Sequence, residues 1–424
     1  MSFQFLHAAD IHLDSPLLNL QRYDGAPLDA FRSATRRAFD NLVDLAIEQQ
    51  VKFVIIAGDL YDGDCKDFST PLHIRSKLAE LNQANIRVVI CQGNHDAQSH
   101  MRKAFRLQLP DNVHLLRTDR PETLRWDDLE IAIHGQGFAK REVTEDLSES
   151  YPSPVPGMIN IGVLHTSCGP YETHQRYAPS SISGLTAKGY DYWALGHIHK
   201  RERLAGPQPF IVYPGNLQGR HIREDGPKGC ELVRIQNGTI TGTKFVPLDV
   251  IRWCRCPVEM ETCESVDEIH EPVEAAIRAL LGEHSPLPLA IRLELVGRSA
   301  VHRPLQRQAD HWDRQLRTMV VDLFGEQVWL EKIQFHTQPP HQAIQDVDQS
   351  SSLGQLLASL QSHDDLEAVW EEVESDIRAM LKILPTDPRL VEPLLDLDQP
   401  NFVQDLLAEA KEILVSRLLE SESV

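Results

Sequence analysis

Short apolar runs, each followed closely by acidic, amide or imidazole side chains, recur between residues 3 and 199. Several of these runs are apolar at consecutive positions, which predicts strands that are covered on both faces. Helical spacing of apolar residues over 30–49 and 70–81 places a helix between the first and second run and another between the second and third. This alternation predicts an α/β layer fold. The candidate strands are Phe3–Ala9, Phe53–Ala57, Ile86–Cys91, Ile131–His134, Ile159–Leu164 and Tyr190–Leu195.

Five of these strands end in side chains that can bind a metal. Because loops at the carboxyl ends of strands form the ligand crevice of open α/β sheets, residues distant in sequence can meet there. Seven nitrogen and oxygen donors suit Mn²⁺, Fe or Zn²⁺ better than a thiolate site or an all-oxygen Ca²⁺ site. Seven is too many for one four-coordinate ion and suits two ions that share a carboxylate. The donors are Asp10, His12, Asp59, Asn94, His165, His197 and His199.

The charge distribution limits where a phosphate substrate can bind. The chain has 42 basic and 62 acidic residues, a net charge of -20, which argues against non-specific coating of nucleic acid. Residues 1–250 hold 27 basic and 30 acidic side chains, whereas residues 251–424 hold 15 and 32. Two divalent ions held by only two carboxylates keep a positive remainder, which favours an anionic phosphate ester. We therefore expect the phosphate-binding residues in the first 250 positions.

The motifs at these strand ends match the five-block signature of the calcineurin-like metallophosphoesterases. Residues 6–14 and 213–221 resemble the SbcD/MRE-type DNA repair nucleases of that superfamily, particularly their YhaO-like bacterial branch. The resemblance implies a metallophosphoesterase sandwich, in which two β-sheets are flanked by helices. The matching blocks are Asp10-x-His12, Gly58-Asp59-x-x-Asp62, Gly93-Asn94-His95-Asp96, His165 and Gly196-His197-Ile198-His199.

The resemblance also implies a role for each residue. Asp59 would bridge two metals, and His95 would face the scissile phosphate as the catalytic histidine. The alternative for His95 is an orienting hydrogen bond to a carboxylate. Asp62 and Asp96 are expected to support the ligands or to form turns. The first metal would be held by Asp10, His12, Asp59 and His199, and the second by Asp59, Asn94, His165 and His197.

Three domains are predicted. Residues 1–250 form the nuclease domain, with irregular stretches over 139–157 and 207–229. Residues 251–337 form a small α+β capping domain, and 338–424 form a linker with C-terminal amphipathic helices. In the capping domain, strands are expected at Ile291–Val296 and Trp329–Phe335, and helices at Val273–Leu281 and Gln315–Phe324.

The function predicted from these features is hydrolysis of DNA phosphodiester bonds by two metals, with exonuclease character. Mn²⁺ is the expected metal, with Fe and Zn²⁺ as alternatives. Arg102, Lys103 and Arg106 either contact the DNA backbone or form a solvated helix face. The resemblance implies that the C-terminal helices dock on an SMC-like coiled-coil ATPase of the SbcC or YhaN kind, and a homodimer is left open. Two other functions stay open: a small-molecule or cyclic-nucleotide phosphodiesterase, and a non-catalytic scaffold of the ATPase complex.

The cysteines and the apolar runs bear on the compartment. Seven scattered cysteines predict reduced thiols and a cytoplasmic protein. The N-terminal residues lack the basic region of a signal peptide, and no apolar run is long enough to span a bilayer. Cys254, Cys256 and Cys263 are interpreted as ordinary thiols, with a zinc site as the alternative.

Overall fold

The computed structural model describes residues 2–15, 28–62, 69–98, 109–169, 177–340 and residue 355. These residues form two compact units. The first unit contains the described residues up to Cys254 together with Leu287–Ala290, and the second contains Arg255–Pro286 and the described residues from Ile291 onward. The predicted DNA contacts Arg102, Lys103 and Arg106, and nearly all of the predicted segment 338–424, lie outside the described residues.

The first unit alternates strands with helices as the sequence predicts. Its strands are β1 Ser2–Ala8, β2 Phe53–Ile56, β3 Arg87–Ile90, β4 Val113–Leu115, β5 Glu122–Trp126, β6 Ile131–Gly135, β7 Ile159–His165, β8 Tyr192–Gly196, β9 Glu202–Ala205, β10 Phe210–Tyr213, β11 Gly229–Gln236 and β12 Thr239–Pro247. Its α-helices are α1 Leu28–Glu48, α2 Ser69–Gln83, α3 Asn94–Gln98 and α4 Ile182–Ala187, and 3₁₀ turns form at Leu147–Ser150 and Ile222–Glu224.

The strands of this unit build two sheets within the described residues. One has the order β12-β11-β1-β2-β3-β4, and the other has the order β5-β6-β7-β8-β10-β9. Neighbouring strands from β1 to β4 pair in parallel, as do β6, β7, β8 and β10. The antiparallel pairs are β1 with β11, β11 with β12, β5 with β6 and β9 with β10. The parallel centres direct the carboxyl ends of their strands to a common edge, where ligands bind in α/β folds.

Alternate residues of β1 face two different cores, because successive side chains of a strand point to opposite faces. Leu6 packs in a core that includes residues of α1 and α2. Phe5 packs in a second core that joins the two sheets, with its ring 4.6 Å from that of Phe53 and 5.5 Å from that of Tyr192. A third core, built around Trp193, covers the outer face of the second sheet. The predicted sandwich of two sheets flanked by helices is therefore confirmed.

The prediction of an irregular stretch over 207–229 is wrong in part. Phe210–Tyr213 forms β10, which is fully buried, and it pairs in parallel with β8. The prolines and glycines on both sides of this short apolar run hid it in the sequence. Strands β11 and β12 were also missed, because exposed residues such as Arg234 interrupt their apolar pattern.

The second unit includes a three-stranded sheet with the order β13-β14-β15. The ion pair between Arg292 and Glu331 lies in this sheet, with both side chains buried. None of the helices in the described part of the chain is long and apolar enough to cross a membrane. The remaining elements are β13 Arg252–Glu259, α5 His270–His284, β14 Leu289–Arg298, α6 His302–Arg307, α7 Ala309–Phe324 and β15 Val328–Gln338, with 3₁₀ turns at Val266–Glu268 and Gly325–Gln327.

Candidate metal centre

The residues predicted as metal ligands meet at the carboxyl ends of parallel strands from both sheets. Asp10 follows β1, Asp59 follows β2, Asn94 begins α3 after β3, His165 ends β7, and His197 follows β8. Five of the seven predicted ligands, together with Asp62 and His95, form three groups whose donor atoms all lie within 4.8 Å of one another. These groups are Asp10 with His12 and His199, Asp10 with Asp59 and His165, and His12 with Asp62 and His95.

The backbone around the ligands adopts a conformation that most residues avoid. Asp10, His12, Asp59 and His197 have φ angles of 50°, 46°, 51° and 103°. Positive φ costs non-glycine residues free energy and persists where the surrounding structure enforces it. Here the loops after β1 and β2 enforce it on each other, since the Asp10 N–H donates to Gly58 O and the His12 N–H donates to Asp59 O, both at 3.0 Å.

Two glycines let the backbone pass directly beneath the ligands. A Cβ on Gly93 would lie 2.3 Å from Asp59 Oδ1 and 2.8 Å from His165 Cε1. A Cβ on Gly196 would lie 2.1 Å from the Ala57 carbonyl oxygen and 3.0 Å from His165 Nδ1. Only glycine therefore fits at the first position of the Gly-Asn-His-Asp and Gly-His-x-His motifs, because neighbouring atoms leave no space for a Cβ.

The surroundings of His165 fit a cation. Its Nδ1 lies 3.0 Å from the Ala57 carbonyl oxygen, so Nδ1 must carry the proton and donate it. Nε2 lies 3.0 Å from Asn94 Oδ1 and 3.4 Å from Asp59 Oδ2. A neutral imidazole would therefore point a lone pair at two oxygens, which is unfavourable without a positive charge between them. Burial lowers the pKa of His165, but the charges of Asp59 and Asp10 and the hydrogen bonds of the ring together outweigh burial and raise it to about 9.

The buried carboxylate of Asp10 also fits a cation. Both of its oxygens lie 3.0 Å from the His197 backbone N–H. Burial and the neighbouring Asp59 raise the pKa of Asp10 to about 7, against the opposing effect of His165. The rings of His12 and His199 approach each other with their Nε2 atoms 3.2 Å apart. Two imidazole nitrogens and two carboxylates thus converge in a space where divalent ions would neutralise the acids.

His197 also lies at this centre. Its ring centroid is 5.2 Å from that of His165 and 5.4 Å from that of Tyr177. All seven predicted ligands are therefore close together, and the cluster of histidines and aspartates could bind two metal ions.

His95 and the two supporting aspartates occupy distinct positions. His95 donates its backbone N–H to Asp59 Oδ1 at 2.9 Å, and its Nδ1 lies 3.1 Å from Asp62 Oδ1. Burial acts to raise the pKa of Asp62, but the hydrogen bonds with His95 and Ser15 and the charges of His12 and His95 together hold it well below its usual range. Asp96 accepts from the backbone N–H groups of Gly93 and Tyr61 at 3.0 and 2.9 Å, so it orders the turn.

Two further residues, Glu224 and Arg220, lie beside the candidate ligand His199 and were not among the predicted site residues. Glu224 is 4 % exposed and accepts a hydrogen bond from His199 Nδ1 at 2.7 Å. Arg220 lies beside it and reaches Ser15 Oγ at 3.4 Å. Arg220 belongs to a stretch quoted for the family resemblance, but Glu224 carries no motif that would have identified it.

The cysteines provide no second metal site in the described part of the chain. Cys254, Cys256 and Cys263 are buried thiols. Every described group of three or more potential ligands consists of histidines and aspartates alone. The zinc alternative for these cysteines therefore has no structural support.

Comparison with known proteins agrees with this geometry. The model of the calcineurin-like phosphoesterase family matches residues 3–201, and the model of the middle domain of metallophosphoesterase YhaO matches residues 253–338. The chain therefore has a calcineurin-like metallophosphoesterase domain followed by a YhaO-type middle domain.

Individual proteins resemble this chain to different extents. A Bacillus subtilis protein described as "Uncharacterized metallophosphoesterase YhaO" is 27% identical over 410 residues, which cover 90% of this chain and 98% of that protein. The DNA double-strand break repair protein Mre11 of Sulfolobus acidocaldarius is 26% identical over 284 residues, or 65% of this chain and 70% of that protein. A solved dimetal phosphatase from Danio rerio superposes on 58% of this chain and 97% of its own at a TM-score of 0.37 and 11% identity.

Proposed function

We propose that this protein hydrolyses DNA phosphodiester bonds with two divalent metal ions, as a nuclease of DNA repair or end processing. The observation that carries the proposal is the convergence of two buried carboxylates, Asp10 and Asp59, with imidazoles from both sheets at one edge of the fold. The similarity to Mre11 proteins of DNA double-strand break repair supports DNA as the substrate.

The donor set defines which residues would hold the metals. Asp10, His12 and His199 would bind one ion, Asn94, His165 and His197 the other, and Asp59 both. When bound, two divalent ions supply Lewis-acid activation of a phosphate oxygen and a lowered pKa for an attacking water. We favour Mn²⁺, because the mixture of imidazole and carboxylate donors suits it, with Fe and Zn²⁺ as alternatives.

His95 is placed to transfer a proton. Its side chain is 26% exposed, whereas the side chains of His12 and Asp59 beside it are buried. Asp62 bonds its Nδ1, which leaves Nε2 to protonate a leaving oxygen or to stabilise charge on it. The charge of Asp59 opposes the effect of burial and raises the pKa of His95, which favours a protonated ring near neutral pH. The predicted orienting hydrogen bond and the predicted catalytic role are therefore compatible.

The assembly and the location are also part of the proposal. We propose that the C-terminal helices within 338–424 dock on an SMC-like coiled-coil ATPase, and that the protein acts in the cytoplasm. These helices lie outside the described residues, so the support comes from their apolar stripes and acidic charge in the sequence.

The proposal is tested with linear duplex DNA and a chromogenic phosphodiester, each with Mn²⁺. Asp59→Asn should lower kcat/KM on both substrates by about 1000-fold, since the metals supply several kcal/mol. His95→Gln should lower kcat on DNA by about 100-fold and leave Mn²⁺ binding intact. Glu331→Gln, a matched loss of a buried carboxylate in the second unit, should change neither rate.

The two substrates separate the competing functions. Hydrolysis of the chromogenic diester without cleavage of DNA would reject the nuclease and retain a small-molecule phosphodiesterase. If wild-type protein binds Mn²⁺ and cleaves neither substrate, with and without a co-purified ATPase, the protein is a non-catalytic scaffold.

A further inference from the structure

A buried hydrogen-bond network lies behind the candidate ligand His199. It belongs to residues 216–228, which follow the region matched by the phosphoesterase family model and precede the region matched by the middle-domain model. Glu224 is its centre, and its side chain is only 5% exposed. Within the described residues, the network touches the metal centre through both the ring and the backbone of His199.

The carboxylate of Glu224 determines the tautomer of the His199 ring. Glu224 Oε1 lies 2.7 Å from His199 Nδ1. Glu224 also accepts hydrogen bonds from the Arg220 guanidinium, the Arg220 backbone N–H and the Asn216 amide, and a carboxyl group surrounded by such donors is a carboxylate. Arg220 Nη2 also lies 3.1 Å from Nδ1, but it donates to Glu224 Oε1 at the shorter distance of 2.8 Å. A carboxylate can only accept, so the proton sits on Nδ1, and Nε2 keeps its lone pair. Nε2 is the atom that faces His12 Nε2 across 3.2 Å.

Further contacts fix the position of Glu224 itself. Arg220 Nη2 donates to Glu224 Oε1 at 2.8 Å, and Arg220 Nε donates to Oε2 at 3.3 Å. Asn216 Nδ2 and the Arg220 backbone N–H donate to Oε2 at 2.9 and 2.8 Å. Because both oxygens are bonded by two side chains and the backbone, the carboxylate cannot turn away from His199.

The same segment also fixes the backbone of His199. Lys228 Nζ donates to the His199 carbonyl oxygen at 3.1 Å, and the Asn216 N–H donates to the same oxygen at 3.4 Å. A Cβ on Gly215 would lie 2.9 Å from this oxygen, so only glycine allows the approach. The ring and the carbonyl of one ligand are thus bonded to two side chains and one backbone N–H of a single short segment.

The network continues towards His95. Arg220 Nη1 lies 3.9 Å from Asp62 Oδ2 and 3.4 Å from Ser15 Oγ, and Ser15 Oγ donates to Asp62 Oδ2 at 2.7 Å. Asp62 in turn bonds His95 Nδ1. Arg220 therefore lies between the carboxylate that orients His199 and the carboxylate that orients His95.

We infer that Glu224 is a positioning residue of the metal centre, which holds His199 as the Nδ1–H tautomer so that Nε2 is directed at one of the two metals. Arg220 keeps Glu224 in place and joins it to Asp62. This inference rests on the metal-binding part of the proposed function for its consequence, but not for the tautomer, which is a property of the chain alone. Loss of a carboxylate that bonds a metal-binding histidine typically lowers metal affinity by about 10- to 100-fold.

The first test measures the tautomer in metal-free protein by ¹⁵N–¹H correlation of the histidine rings, with His199→Gln used to assign the signal. Wild-type protein should show His199 protonated at Nδ1 alone. Glu224→Gln should retain this tautomer, because its amide oxygen can still accept the proton. Glu224→Ala should show a mixture of tautomers. A wild-type ring protonated at Nε2, or an unchanged ring in Glu224→Ala, would overturn the inference.

The second test is calorimetric titration of the full chain with Mn²⁺. Glu224→Ala should weaken one of two binding sites by about 10- to 100-fold, and Glu224→Gln should weaken it less. The matched control is Glu331→Gln with Glu331→Ala, since Glu331 also accepts from the Nε and Nη2 of one buried arginine, Arg292, at 2.9 and 2.7 Å. These controls should leave both Mn²⁺ sites unchanged.

The titration distinguishes this inference from the proposed function. If wild-type protein binds no Mn²⁺, the proposed function fails, and the tautomer measurement still decides the role of Glu224. If wild-type protein binds two ions and folded Glu224→Ala binds both with the same affinities, the positioning role is refuted while the metal centre stands. Where Glu224→Ala does not fold, the wild-type ring carries the test, and a His199 ring protonated at Nε2 in the metal-free protein would refute the positioning role.

Discussion

The strand-end edge of the first unit and the three-stranded sheet of the second unit both bury charged side chains, but only the second neutralises them internally. In the second unit, Arg292 donates two hydrogen bonds to Glu331, so each charge has its partner. At the strand-end edge, Asp10 and Asp59 are buried beside each other, and the lone pairs of imidazoles face them. Since burying an unpaired charge is costly, this edge is complete only with added cations.

The backbone conformations of the two regions also differ. Strands β14 and β15 run for 10 and 11 residues, and none of their non-glycine residues has a positive φ. The strand-end edge instead has left-handed residues at Asp10, His12 and Asp59, and glycines packed under the ligands. Strain of this kind gathers at functional sites, where the surrounding structure maintains it. The same substitution should therefore have a larger effect at the strand-end edge than in the second unit.

The largest difference is expected for a single methyl group. Gly93→Ala places a Cβ against Asp59 Oδ1 and His165 Cε1, so Asp59 must move, and loss of a group that merely orients a metal ligand already lowers metal affinity by up to about 100-fold. We expect Mn²⁺ affinity to fall by at least about that factor in a calorimetric titration. Gly282→Ala, in α5, meets no atom within 4 Å and should bind Mn²⁺ as wild type does. Equal affinities for the two variants would mean that the glycines do not shape the centre.

The second expected effect is local stabilisation by metal. Mn²⁺ at about 100 times its dissociation constant should stabilise the first unit by about 2.7 kcal/mol, because it binds only the folded state. Hydrogen exchange measured with Mn²⁺ and with a chelator should show added protection in β1, β2 and β7. Protection of β14 and β15 should not change. Added protection of both units to the same extent would contradict the assignment of the site to the first unit.

The sequence predicted the strand-end edge better than it predicted the strands themselves. Asp10, Asp59 and His165 could be recognised, because few residue types bind metals and each of these residues lies at the end of a short apolar run. Strand β10 was missed because prolines and glycines flank its short apolar run, and β11 was missed because its position depends on pairing with β1 at the opposite end of the first unit's sequence. Propensity and periodicity do not contain that information.

The network behind His199 was missed for a related reason. Glu224 lies in a polar stretch between Arg223 and Asp225, where an acidic residue suggests a solvated surface. Only the fold shows that this side chain is buried and bonded to a ligand 25 positions away. A residue that supports a metal ligand does not require particular residue types beside it in the sequence, so no motif identifies it.

A third prediction concerns a buried histidine that needs no cation. His7 lies 3.0 Å from the Tyr192 hydroxyl through Nδ1 and 3.1 Å from the Leu195 carbonyl oxygen through Nε2, so a neutral ring satisfies both partners. Burial lowers its pKa to about 3, whereas the unfolded chain has the usual value near 6.5. Below pH 6.5 the unfolded state therefore takes up a proton that the folded state does not, and stability falls as the pH is lowered towards 3.

The size of this effect follows from the same values. At pH 5, wild-type protein should lose about 2 kcal/mol of unfolding free energy through His7, relative to pH 7.5. His7→Gln keeps a donor and cannot titrate, so urea unfolding with a chelator should show a smaller loss for this variant over that range. The same loss in both proteins would show that His7 is protonated in the folded state or exposed to water.

The smallest expected effect lies in the second unit and runs in the opposite direction. Gly282 is exposed in α5 with open space around it, so Gly282→Ala should raise the unfolding free energy by about 0.5 to 1 kcal/mol, through the helix propensity of alanine and a less flexible unfolded chain. Gly325 also has open space but ends α7 with a φ of 54°, so Gly325→Ala should lower it by at least about 1 kcal/mol. Urea unfolding of the two variants measures both signs. A lower unfolding free energy for Gly282→Ala would show that contacts outside α5 constrain this position. A methyl group in open space has no other way to destabilise the unit.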